Sequence, residues 1–243
     1  MFKSKVKIAD ILVSIESEMW HLHGLCENYL YDFVEPEIDI SISKEMIEYE
    51  NNGIIPNSKT QIAICESAAA LRYFNDLLIN YDAFIFHGAS FKVAEKGIIL
   101  CAKSGTGKTT HMNLWHKMLG DNFLVINGDK PIIRFLDGCP YSFGSPWNGK
   151  EHLHNNIKAK LTDICFIERS SINEVVKLEG PEIAQRLSSQ MAQSQNPEVL
   201  FKNMEFIELL KKNCNFYIIR CNMEIEAAQV AYKAIFGKEY TDG

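Results

Sequence analysis

Cys101-Ala102-Lys103-Ser104-Gly105-Thr106-Gly107-Lys108-Thr109-Thr110 follows the apolar run Ile98-Ile99-Leu100 and leads into a helical pattern over Thr109–Leu119. That order, strand then tight polar turn then helix, is what a phosphate-binding loop requires, because the helix begins with backbone N–H groups that have no intrahelical partner. Gly105 and Gly107 lack a Cβ, so the backbone can curl its amides inward around phosphate oxygens. Lys108 supplies a charge for the β- and γ-phosphates, and the Thr109 hydroxyl suits a magnesium ion. Ala102 stands where the usual pattern has its first glycine. The stretch Ser104–Thr110 is therefore expected to bind a nucleoside triphosphate with magnesium.

A metal-bound triphosphate calls for a carboxylate from the protein. Asp129 follows the apolar strand Phe123–Ile126, and the carboxyl ends of neighbouring strands in a doubly wound sheet meet at one crevice. Asn127-Gly128-Asp129 before Lys130-Pro131 is also good turn chemistry, so Asp129 has a purely local reading as well. His87 ends the run Ala83–Phe86 and precedes Gly88; a lone histidine there reads as structural or as facing the phosphates. Tyr141–Lys150 holds two glycines, a proline and Trp147, and ends in Lys150, which reads either as a substrate loop or as a surface turn with Trp147 packed inward.

Composition sets the limits. The 243 residues suit one α/β domain, or a core with a small extra lobe, and an apolar fraction of 47% supports a real core. A net charge of −6 gives no electrostatic reason to expect nucleic acid or an anionic membrane as partner. No apolar run approaches the ~18 residues of a membrane span, and no signal-type segment follows Met1–Lys7. The seven cysteines are scattered without a C-x-x-C pair, which reads as reduced thiols in a cytoplasmic protein rather than a zinc site.

Elsewhere the periodicities predict strands over Lys5–Ser14, Glu37–Ile47, Phe91–Ala94, Gly97–Ala102, Ile132–Phe135, Leu161–Ile167 and Phe216–Arg220. Helices are predicted over Glu66–Leu78, Pro181–Met191, Pro197–Lys211 and Ile225–Phe236. Residues 1–80 form a strand-rich portion expected to pack on a nucleotide-binding unit, residues 81–243.

Taken together, Ile98–Thr110, His87-Gly88 and Asn127–Pro131 resemble the HPr kinase/phosphorylase catalytic domain, whose nucleotide-binding core is shared with ATP-dependent phosphoenolpyruvate carboxykinase. A closer likeness is to small bacterial HPr-kinase-like proteins. Those carry a Gly-x-Pro-Trp-x-Gly-Lys/Glu loop, matched by Gly144–Lys150, and a strand ending in Leu/Ile-Glu-Arg, matched by Ile167-Glu168-Arg169. The resemblance spans about Tyr81 to Ser189. It implies an α/β P-loop core of that type with a mixed sheet, ATP and Mg²⁺ as cofactors, and phosphoryl transfer to a serine-type hydroxyl on a protein or peptide. It also implies roles: Lys108 and the loop amides for the triphosphate, Thr109 and Asp129 for the metal, His87 beside the transferred phosphate, Arg169 for developing charge, and Gly144, Trp147, Gly149 and Lys150 as a substrate loop.

One position departs from that pattern. The family has two consecutive aspartates after the strand, the first being the base that takes the hydroxyl proton, and Gly128 stands there. A general base contributes about 10²- to 10⁴-fold, so a nucleotide-binding regulatory protein without fast turnover is the alternative. A carboxykinase proper is the weaker one: His111, His116, His152 and His154 offer no counterpart of its metal-binding set.

Overall fold

The computed structural model describes residues 1–103 and 105–241. The chain opens with a hairpin, β1 (Phe2–Ile8) and β2 (Ile11–Ser17), turned by Ala9 and Asp10 at φ 52 and 61. The single strand predicted over Lys5–Ser14 is thus two, because this tight turn is made without the glycine that would have signalled it. Helix α1 (Trp20–Leu25) leads to β3 (Ile38–Ser41), which pairs parallel with β2. The strand predicted over Glu37–Ile47 stops there: Ser43 accepts a hydrogen bond from Met46 N at 3.3 Å and starts α2 (Lys44–Glu50). Helix α3 (Lys59–Leu78), capped by Ser58, begins earlier than its apolar stripe and lays Ala70, Phe74 and Leu78 against the three-stranded sheet.

The remaining strands are β4 (Ala83–Ile85), β5 (Ala89–Val93), β6 (Lys96–Cys101), β7 (Phe123–Asn127), β8 (Ile132–Leu136), β9 (Cys139–Phe143), β10 (Lys158–Arg169), β11 (Glu174–Lys177) and β12 (Asn215–Cys221). The helices are α4 (Lys108–Leu119), α5 (Glu182–Ser188), α6 (Pro197–Asn213) and α7 (Ile225–Phe236). Tyr141–Phe143, assigned from sequence to a loop, belongs to β9, and α1 and β11 had no counterpart in the periodicities. Strand β10 serves two sheets: Lys158–Lys160 pair antiparallel with β9, and from Leu161 on, across a bulge at Thr162, the strand pairs parallel with β6, joined from Asp163 by β12. The outcome is a curled mixed sheet, ordered β4-β8-β9-β10 on one side and β7-β5-β6-β10-β12-β11 on the other.

Strand direction builds the site. Strands β6, β10 and β12 are mutually parallel, and β5 runs antiparallel to both β6 and β7. Strand β7 therefore runs the same way as β6 with β5 between them, not beside it as in a doubly wound sheet. The carboxyl ends of β6, β7, β10 and β12 and the start of β5 all meet at one edge. Alternation then sorts the β6 side chains: Ile98 and Leu100 face Trp115 of α4 and Ala227 of α7, whereas Ile99 and Cys101 face Leu187 of α5 and Phe206 of α6. All seven cysteines are unpaired. Among the described residues no helix is long and apolar enough to cross a membrane.

Candidate active site

At the carboxyl end of β6 the chain curls through Gly105 and Gly107, at φ 76 and 125. A Cβ on either would meet nothing within 4 Å, so glycine is required there by backbone conformation and not by space. Helix α4 starts at Lys108 with Gly107 as its N-cap and no side chain capping its first amides. The Lys108 ammonium folds back, donating to the Ala102 carbonyl at 3.2 Å and lying 3.2 Å from His87 Nε2. Burial lowers its pKa, and the nearby Asp129 charge opposes that shift.

The opposite wall is made by a backbone ladder: Phe86 N donates to Pro131 O at 3.0 Å and Gly88 N to Asp129 O at 2.9 Å, so His87 and Asp129 are carried side by side. His87 N donates to Gln190 O at 2.7 Å. Buried Asn127 shapes the turn itself. Its Oδ1 accepts from Asp129 N at 2.8 Å and Lys130 N at 2.7 Å, and its Nδ2 donates to Ser145 O at 3.0 Å. His87 Nε2 lies 3.3 Å from Asp129 Oδ1, and Lys130 Nζ is 3.3 Å from Oδ2. The His87 hydrogen bond, reinforced by the Lys130 charge and opposed by burial, holds the Asp129 carboxyl down at about 2. Asp129 is a permanent anion at neutral pH.

These elements enclose a polar cleft of about 510 Å³. Of the residues singled out from sequence, His87, Gly105, Gly107, Lys108, Thr109, Thr110, Asp129, Gly149 and Lys150 line it. Thr106 lines neighbouring cavities instead, and Ser104 lies outside the described residues. Arg169 is not on this wall: its guanidinium donates to the carbonyls of Thr106, at 3.1 Å, and Gly105, so it braces the loop from behind. Gly144 and Trp147 are outside the cleft too. Trp147 is 6% exposed, with Nε1 donating to Ser67 O at 3.1 Å and its ring beside Phe74. Its position in the substrate loop is corrected to core packing, because an indole that large is worth more buried than waiting at a cleft. Gly144 is needed for close approach, since a Cβ there would come within 2.0 Å of Asn155 O.

Sequence reasoning missed Lys103, Lys130, Asn148 and Glu151, which also line the cleft, and the organising role of Asn127. The Asn-x-Asp turn chemistry signalled Asn127; the others depend on how the Ser145–Glu151 segment folds back. Gly149, at φ 75, sits so near that a Cβ would be 2.9 Å from Asp129 Cβ.

No protein-family model and no curated protein sequence matches the chain. Among solved structures it is similar to the HPr(Ser) kinase/phosphatase from Coxiella burnetii, at 8% identity and a TM-score of 0.37, over 63% of this chain and 91% of that one. The relationship is distant.

Proposed function

We propose that the chain is an ATP-dependent kinase, HPr-kinase-like, which moves the terminal phosphate to a hydroxyl of a protein or peptide, serine being the acceptor type. The observation that carries this reading is the facing pair of walls: an uncapped helix start with Lys108 on one, and the ionised Asp129 beside His87 on the other. Loop amides and Lys108 would hold the triphosphate. The Thr109 hydroxyl and Asp129 carboxylate are hard oxygen donors on one cleft and fit Mg²⁺, which when bound would offset phosphate charge. The nucleoside would extend into an adjoining cavity of about 410 Å³ at the ends of β10 and β12, lined by Thr106, His111, Arg169, Asn222 and Met223.

A carboxylate held at about 2 is well suited to a cation and is a weak proton acceptor at pH 7. Together with Gly128 in place of a family aspartate, this favours slow turnover, and in the limit the second reading, a nucleotide-binding regulatory protein. Labelled ATP and magnesium, with wild type, Lys108→Ala and Asp129→Asn, separate the two. Phosphate release or transfer is expected in wild type and a drop of about 100-fold or more in both variants. ATP binding in wild type without any Lys108-dependent release or transfer would replace the kinase by the regulatory protein.

A further inference from the structure

We propose that a second cavity, sharing His87 and Lys130 with the phosphate cleft, receives the acceptor as an extended peptide segment whose hydroxyl has a carboxylate nearby. This rests on the kinase reading above. The cavity holds about 380 Å³ and lies between α3, the end of α2 and the segment 189–193. His87 and Lys130 line both spaces, and the phosphate-binding loop lines only the first of the two. A group entering from this second side meets the terminal phosphate at the wall where Lys108, His87 and Asp129 converge.

The lining identifies the chemistry. Arg72 Nε donates to Glu50 Oε1 at 2.6 Å, and the guanidinium lies 4.5 Å from the Tyr49 ring centroid. Its fork is thus held in place, while its terminal nitrogens make no hydrogen bond among the described residues. A fixed guanidinium edge of this kind is a receptor for a carboxylate. Gln190, from the 189–193 segment, lines the same space. Ala68, Leu71, Ile85 and Met191 supply aliphatic walls, which suit side-chain methylenes and not a polyol. Glu50, Ala68, Leu71 and Arg72 all come from residues 1–80, so this portion of the chain is the acceptor-reading part of the protein.

In the transfer the acceptor oxygen bonds to the terminal phosphorus as the bond from that phosphorus to the β,γ-bridging oxygen breaks. The electron pair leaves with ADP, and the hydroxyl proton passes late in the transfer to a non-bridging oxygen of the transferred phosphate and on to solvent.

The test is a serine-centred peptide library with varied flanking positions, labelled with ATP and magnesium by full-length wild type, Arg72→Gln and Ala68→Phe. Wild type is expected to select Asp or Glu within two residues of the serine. Arg72→Gln should lose that selection, with kcat/KM on the best acidic peptide down about 10- to 100-fold. Ala68→Phe fills the cavity and should label every peptide poorly; if it does not fold, Arg72→Gln decides. A second readout needs no chemistry: anisotropy of a fluorescent Ala-Glu-Ser-Glu-Ala peptide without nucleotide. Arg72-dependent binding in a protein that shows no Lys108-dependent ATP turnover would remove the kinase reading and keep the cavity as a peptide site. Lys108-dependent turnover with peptide selection and binding unchanged in both variants, or no peptide bound or labelled by wild type, would overturn the cavity.

Discussion

At the scale of single residues, His111 carries a cost that the fold does not recover internally. It is 2% exposed, both ring nitrogens lack a hydrogen-bond partner among the described residues, and burial pushes its pKa down to about 4. Leaving such groups unpaired costs about 1–3 kcal/mol, so His111→Leu should raise the thermal midpoint of the ligand-free protein while weakening ATP binding. The pH dependence follows from the direction of the shift. Between about 6.5 and 4 the unfolded chain binds the proton and the folded one does not, so stability falls as pH drops through that window, by up to about 3 kcal/mol. Thermal melts from pH 7 to 4 on wild type and His111→Leu would show the slope in one and not the other. Asp129 has its window lower, its contribution being lost only between its ordinary value of 3.8 and about 2. Gly128 is the other decisive residue. An added Cβ would lie 3.3 Å from Leu153 Cβ and O and 3.4 Å from Asn148 O, so an aspartate there points its charge at carbonyl oxygens. Gly128→Asp is expected to lower the midpoint and bring no gain in ATP turnover; a gain of tenfold or more would mean that the backbone yields and that a base was what the site lacked.

At the scale of elements, the segment Ser145–Glu151 couples two functions. Its start is tied to the Asp129 turn, since Asn127 Nδ2 donates to Ser145 O and Ser145 Oγ donates to Lys130 O at 2.6 Å. Its end, at Gly149, presses on Asp129. Gly149→Ala therefore combines left-handed strain with a clash, whereas Gly138→Ala, at the same φ of 75 with nothing within 4 Å, carries the strain alone. Both should lose about 1–3 kcal/mol of stability. ATP turnover should fall about tenfold or more in Gly149→Ala only, by displacement of Asp129, and equal turnover in the two would disprove the coupling. Much of this scale was legible in advance: the β6–loop–α4 unit, the β5–β6 hairpin, β7, α6 and α7 follow from local periodicity and from glycines at fixed offsets. What escaped was the β1–β2 turn, made by two non-glycine residues at positive φ, and α1, a helix too short for its pattern to stand out.

At the scale of the whole molecule, the first eighty residues and the rest of the chain meet through Trp147. Its indole enters the cluster formed by Val6, Ile15, Ile40 and Phe74, although its backbone belongs to the segment that shapes the cleft. Trp147→Ala should cost about 3–5 kcal/mol, a fall of roughly ten degrees in the midpoint. Because the loop is released from α3, ATP turnover should also fall below that of a comparably destabilised variant far from the cleft, such as Phe206→Ala in the α6 cluster. Equal turnover at a temperature where both are folded would show that Trp147 contributes stability alone.

The sequence by itself determined the β6–loop–α4 unit, because strand, loop and helix are contiguous and each needs only local backbone geometry. It also singled out Asp129 and His87, through their positions at strand ends. Only the tertiary structure decided which of the remaining residues share the cleft. Arg169 braces the loop from behind and Trp147 serves the core, while Lys130, Asn148 and Arg72 face cavities that form when distant segments meet. Strand order made that choice. Inserting antiparallel β5 between β6 and β7 sets the Asp129 turn opposite the loop, and the 189–193 segment reaches His87 through the Gln190 carbonyl, contacts with no signature in local sequence.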